Sequence, residues 1–264
     1  MSSIRDNNRR PLTARSVIAS TLLGVDPPRL PALALVRSGE LFGLSEGATR
    51  TALSRMAAAG EVVADDRHYA LAGPLLERHA RQQAARTVTR DHGGADWDGT
   101  WIGAVVTGER RSASDRAAFR EAAGRLHLAE IREGLWMRPD DRPSIRSGHP
   151  VLDGQATWLR RIAPDDPATL VAAFDLDGWA ERAHVLLAEL EQWQPALDRR
   201  EVSALGETFV VDADVLRHLV ADPELPAALL PADWPGPAIR AAFAAFDLAF
   251  KTTWREWYQS FQTS

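Results

Sequence analysis

The 264-residue chain carries 31 Lys and Arg against 36 Asp and Glu, a formal net charge of −5, with 45% hydrophobic and 25% charged residues. These proportions are those of a globular protein, and the lack of cysteine excludes disulfide frameworks, thiol nucleophiles and thiolate metal sites. The polar opening MSSIRDNNRRPL has no apolar run behind it, and no stretch approaches the roughly 20 apolar residues of a membrane-spanning helix, so the expectation is a cytoplasmic protein.

The charge is unevenly placed. Residues 1–90 hold 13 basic and 8 acidic side chains, whereas the remainder is acidic. Such asymmetry points to a nucleic-acid-facing part joined to a part with another task, the alternative being ordinary scatter of surface charge. Within this region TARSVIASTLLG predicts a short helix capped by Thr13 and stopped at Gly24. A second helix is expected from Pro31 to about Leu41, and a third from Glu46 to Ala59, with Ser45 as its cap and Gly60 as its stop. One face of the third carries Ala48, Ala52, Leu53 and Met56, spaced to pack on the first two. The other carries Gly47, Arg50, Thr51, Ser54 and Arg55, short hydroxyls and guanidinium forks suited to phosphates and guanine edges. EVVADDRHYAL then alternates about a turn at Asp65-Asp66 and reads as a two-stranded wing. Three helices and a hairpin in this order make a winged helix-turn-helix, the competing reading being a small helical interaction domain.

After a helix over GPLLERHARQQAARTV, the turn-rich RDHGGADWDG marks a boundary. GTWIGAVVTG reads as a strand, SASDRAAFREAAGRL as a helix, and AEIREGLWMRPD and QATWLRRIA as strands flanked by Pro and Gly, which suggests a ferredoxin-like α+β domain. From about Phe174 the chain is helical, ending in a stripe at Ile239, Phe243, Phe246, Phe250, Trp254, Trp257 and Phe261. The expected fold class is therefore α+β multidomain: a winged helix-turn-helix with a linker helix over 1–90, a central ferredoxin-like domain over 91–173, and a C-terminal helical domain over 174–264.

The proline-broken loop DPELPAALLPADWPG at 222–236, in which Leu225, Leu229, Leu230 and Trp234 can act as anchors, is the most specific motif. Together with WDGTW at 97–101, EGLWMRP at 133–139 and GLSEGATRTALSRM at 43–56, it resembles the PaaX-type family of transcriptional repressors, in order and over nearly the whole chain. The resemblance implies DNA binding, a central domain shaped like small spacer-acquisition nucleases, and repression relieved by an acyl-coenzyme A. It places DNA-reading positions on Arg50, Thr51, Ser54 and Arg55. The wing departs from the family pattern, since Asp65 and Asp66 would face phosphates and leave Arg67 as its useful charge. Because one short helix reads few base pairs, a homodimer on a palindromic double-stranded operator is expected.

Enzymatic signatures are thin. The seven histidines show no metal-ligand spacing, and no phosphate loop, dinucleotide fingerprint or nucleophile elbow occurs, so neither a cofactor nor a metal is expected. Fold likeness alone keeps a metal-dependent nuclease as the alternative, although the expected first strand ends AVVTGER without the metal-binding Asp. An effector with acyl and adenine groups and phosphates needs aromatic slots and cations. Trp97, Trp101, Trp136 and Trp158 offer the former, and Arg110, Arg111, Arg138, Arg160 and Arg161 the latter. The bland reading of the same residues is tryptophans in a core and arginines in solvent.

Overall fold

The structure, a computed structural model, describes residues 12–87, 97–108, 111–142 and 149–261. Among these residues there are ten α-helices and two small antiparallel sheets, an α+β chain. It divides into two compact units. The first comprises residues 1–87, 185–220 and 238–264, the second 88–184 and 221–237. The stretch from 174 onward, expected as one helical domain, is thus shared between them.

In the first unit, helices α1 (Ala14–Leu23), α2 (Ala32–Glu40) and α3 (Glu46–Ala58) surround a core of Ile18, Leu22, Leu35, Leu53 and Met56. Thr13 caps α1 through a reciprocal box with Ser16. Gly39 lets α2 and α3 approach, because a Cβ there would sit 2.6 Å from the Thr49 hydroxyl. Ala48 does not join the packed face of α3. The buried stripe is Thr49, Leu53 and Met56, at steps of four and three, and Ala48 lies about 100° away from Thr49 on the helical wheel, in solvent.

Strands β2 (Val62–Asp65) and β3 (His68–Leu71) form the expected hairpin, but it turns at Asp66-Arg67, where both residues have positive φ, 37° and 64°. A strand that the sequence did not announce, β1 (Arg29–Pro31), pairs with β3 and makes the sheet three-stranded in the order β1-β3-β2. Helix α4 (Gly73–Thr87) leaves this sheet and packs on α9 (Leu205–Val220), with α10 (Gly236–Ser260) contributing its last 23 residues to the same unit. Ile239, Phe243 and Phe246 of the α10 stripe are at most 2% exposed, and each such burial contributes about 1.5–3 kcal/mol. Further along, Phe250, Trp254 and Trp257 are half-buried and Phe261 is exposed.

Four ionisable groups gather where α4, α9 and α10 meet, three of them largely enclosed and Lys251 partly exposed. Arg86 Nη1 lies 2.7 Å and Lys251 Nζ 2.8 Å from one oxygen of Asp247, and Asp212 hydrogen-bonds to Asp247. Burial, and then the charge of Asp247, push the Asp212 carboxyl up to about 8 against the pull of Arg86 and Lys251.

In the second unit, β4 (Trp101–Val106), α5 (Ala113–Arg125), β5 (Ala129–Arg132), β6 (Leu135–Pro139), α6 (Pro150–Asp153) and β7 (Ala156–Ile162) follow in sequence. Their sheet is antiparallel throughout, in the order β5-β6-β4-β7. AEIREGLWMRPD holds two strands, since Gly134, at φ 78°, turns the chain back at Glu133-Gly134. Phe119, Ala123, Leu128, Trp136 and Leu152 form the core between the sheet and its helices. The helical segments α7 (Pro167–Val171) and the first turns of α8 (Leu176–Asp198) complete the unit.

Arg138 organises the proline-rich loop. Its guanidinium is fully buried and donates to the carbonyls of Leu126 at 3.0 Å, Pro139 at 3.2 Å and Glu224 at 3.2 Å, and to Asp141 at 3.0 Å. The Glu224 carboxylate in turn pairs with Arg142 and lies 3.6 Å from His127, whose imidazole is held below its usual value chiefly by burial. Leu225 and Trp234 are buried loop anchors, Trp234 stacking on Trp179 at 4.5 Å, while Leu229 and Leu230 are half-buried.

Two outcomes follow from these buried charges. Arg138→Met should lower unfolding free energy by about 3–5 kcal/mol, read as the urea midpoint, because the substitution strands Asp141 and three carbonyls. Asp212 is protonated in the folded chain but ionises near about 3.9 when unfolded, so the folded state binds one more proton between about pH 4 and 8. Stability attributable to this group therefore falls as pH rises through that window, by at most about 1.4 kcal/mol per unit, and levels off above it. Asp212→Asn should match the parent near pH 4.5 in calorimetric melting and exceed it by a widening margin up to pH 8.5.

Candidate nucleic-acid interface

Helix α3 owes its direction to its ends. The Ser45 hydroxyl accepts from the Ala48 amide at 3.2 Å, Glu46 occupies the positive first turn, Arg55 lies in the negative last turn, and Gly60 takes φ 69° just beyond. With Thr49, Leu53 and Met56 buried, the opposite face is fixed outward. Gly47, Arg50, Thr51, Ser54 and Arg55 are all exposed on it, as expected from the sequence.

Two of these side chains have neighbours that the sequence did not disclose. Arg50 Nε donates to Glu46 one turn back at 2.6 Å, with both side chains more than half exposed. A pair so open to water contributes about 0–1 kcal/mol, so the guanidinium exchanges partners at little cost. Thr51 and Arg55 border a groove of about 580 Å³, whose far wall is the start of α1, with Thr13 and Arg15. Arg15 itself is gripped by both oxygens of Glu61 at 2.5 to 3.2 Å. The capping box of Thr13 and Ser16 marks where this helix begins, but nothing local in it says that the helix begins beside α3.

The tip of the β2–β3 hairpin is less acidic than its residues imply. Asp65 is paired with Arg29 at 3.0 Å, and Arg67 projects from the turn with its backbone carbonyl accepting from the Ala32 amide at 2.8 Å.

The aromatic and cationic set in the second unit is dispersed. Trp136 and Trp158 lie opposite Ala104 on the α5 face of the sheet. Trp101 is completely buried on the other face, against Trp97 and Phe174. Arg111 lies over the Phe119 ring at 5.2 Å, Arg138 is committed to the proline-rich loop, and Arg160 and Arg161 are exposed on β7. Arg110 lies outside the described residues. Strand β4 runs out in Val106, Thr107 and Gly108, and among the described residues no group of three or more His, Asp or Glu could hold a metal ion.

Two family models match the chain: "PaaX-like protein" over residues 13–74, and "PaaX-like protein C-terminal domain" over 174–260. Among solved structures, the uncharacterized protein Rv0674 from Mycobacterium tuberculosis is 36% identical, with a TM-score of 0.70, over 94% of this chain and 99% of that one. None of the curated proteins matches.

The cap at Ser45 is testable alone. Ser45→Ala should cost about 1 kcal/mol and Ser45→Asp should restore most of it, measured by denaturant melts of both variants.

Proposed function

Because the chain belongs to the PaaX-like protein family, we propose that it is a DNA-binding transcriptional regulator, and specifically a repressor that a small molecule releases from DNA. The observation carrying this reading is the outward face of α3, where Arg50, Thr51, Ser54 and Arg55 stand clear of a core built from Thr49, Leu53 and Met56. We read α1 to β3 as a winged helix-turn-helix, with α3 in the major groove and Arg67 on the adjoining phosphates. The βαββαβ order of the second unit is read as ferredoxin-like. The division into winged, central and helical parts at about residues 90 and 173 is kept as the organisation of the three tasks.

Arg50 is the proposed base reader, its fork being spaced for guanine O6 and N7, and Arg55 and Thr51 the phosphate holders. A homodimer on a palindrome supplies the length of sequence that one helix lacks, with half-sites about 10–10.5 bp apart or a multiple of it. The effector, on the family resemblance, is an acyl-coenzyme A, and the compartment is the cytoplasm. No helix of the described residues is long and apolar enough to cross a membrane. Among the described residues of the second unit, no cluster of His, Asp or Glu supports the nuclease alternative.

The deciding experiment is a mobility shift on the DNA upstream of the protein's own coding sequence, with Mg²⁺ present so that cleavage would be seen. The chain should bind and not cut. Arg50→Ala should lose about 1–3 kcal/mol on the specific site and much less on random DNA. Equal losses on both would make Arg50 a phosphate contact, and no specific binding by the parent would overturn the reading.

A further inference from the structure

A second opening in the first unit is lined by α1, α4, α9 and α10, with Leu23, Val25, Phe209, Leu216, Phe250 and Trp254 as its apolar walls. Its interior measures about 50 Å³, several times the 10–15 Å³ that one water needs, yet too small for a whole aromatic ring. At its inner end three acceptor oxygens are buried without a hydrogen-bond donor: Gln82 Oε1, Asp212 Oδ1 and Asp247 Oδ1. Gln82 is 5% and Asp212 8% exposed. Lys251 Nζ and Arg86 Nη1 are both spent on the other oxygen of Asp247, and Arg86, whose Nε and Nη2 are also buried without a partner, does not line the opening. Buried acceptors left unmatched are costly, so this end calls for an O–H or N–H.

The outer end has the opposite need. Ser20, Arg78, Phe209 and Ala213 border both this opening and a neighbouring groove of about 550 Å³, where Arg15 and Arg217 join them. Arg15 is matched by Glu61 and Arg217 by Asp214, but Arg78 has no carboxylate partner among the described residues. Partial burial, then the like charges of Arg217, Arg81 and Arg15, hold its guanidinium below the usual arginine value. An anion there would relieve all of these.

We propose that this channel is a binding site for a small hydroxyaryl carboxylate. Its hydroxyl enters the inner end and donates to Gln82 and Asp212. The ring lies outward against Phe209, and the carboxylate meets Arg78. Asp247, held by two cations on one oxygen, keeps the inner end a place for donors. The site is independent of DNA recognition, so it stands or falls apart from the regulator reading. It does, however, touch the end of α1 and the two residues after it, and this is the helix that carries Ile18 and Leu22 beneath α3.

Titration calorimetry of the full chain without DNA tests this directly, using 3-(4-hydroxyphenyl)propanoate, 3-phenylpropanoate and tyramine as probes. The hydroxy acid should bind with a Kd below 1 mM, and at least tenfold more tightly than either the acid lacking the hydroxyl or the amine lacking the carboxylate. Gln82→Met should bring the two acids within threefold of each other, while Arg78→Ala should weaken both acids by a similar factor. Circular dichroism melts of each variant establish that it is folded, and the parent's discrimination among the three probes needs no variant at all. Equal binding of the two acids by the parent, or no binding of any probe at 5 mM, would overturn the proposal. The latter result would mean that solvent alone serves the three oxygens.

Discussion

The first unit is fixed by one enclosed ion pair, Arg86 with Asp247, whose side chains are 12% and 13% exposed. Residue 86 ends the segment that begins with α1, and residue 247 is in the middle of the last helix. Separating them would leave a guanidinium and a carboxylate stranded out of water, a loss on the order of 3–5 kcal/mol. Helix α4 therefore cannot slide along α10 by a turn, and α9, which supplies the protonated Asp212 to the same cluster, is held in register with both. Dispersion and burial supply most of the attraction between these helices, but they tolerate several alignments. The polar cluster tolerates one.

Charge also explains how the N-terminal region can be acidic in places and still present a basic face. Glu40 is engaged by Arg37, Glu46 by Arg50, Glu61 by Arg15 and Asp65 by Arg29, so four of its carboxylates are already matched within the region. Arg55 and Arg67 are exposed and have no carboxylate partner among the described residues. Counting residues at the hairpin tip overstates its acidity because Arg29, the neutralising partner, is 36 positions earlier in the chain.

Local signals carried much of the fold. Thr13, Ser45 and Gly60 mark helix ends through hydrogen bonds that need only a few neighbouring residues, and the spacing of Leu53 and Met56 or of Ile239, Phe243 and Phe246 marks buried stripes by period alone. Such a stripe says that a face must be covered without saying by what, which is why the last helix could not be assigned in advance to the unit that holds α1. Arg29–Pro31 is too short to show alternation, and only its pairing with β3 makes it a strand. Trp101 and Trp136 belong to different strands, so no spacing in the sequence could reveal that they fall on opposite faces of one sheet. Asp212 and Asp247 look like surface residues until their helices meet. The outward residues of α3 were legible for a simple reason: one helix, with both ends capped and one face buried, leaves no freedom for the other face.

The three-stranded sheet has a further consequence for the hairpin tip. A two-stranded hairpin alone is marginal in water, and this one turns through two non-glycine residues in left-handed backbone. The third strand offsets that weakness, and the Ala32 amide, at the first residue of α2, holds the carbonyl of Arg67. The tip is thereby a rigid bracket and not a loose arm. Whatever its side chains engage meets a backbone whose disorder was already lost when the chain folded, so association there has only side-chain rotamers left to freeze.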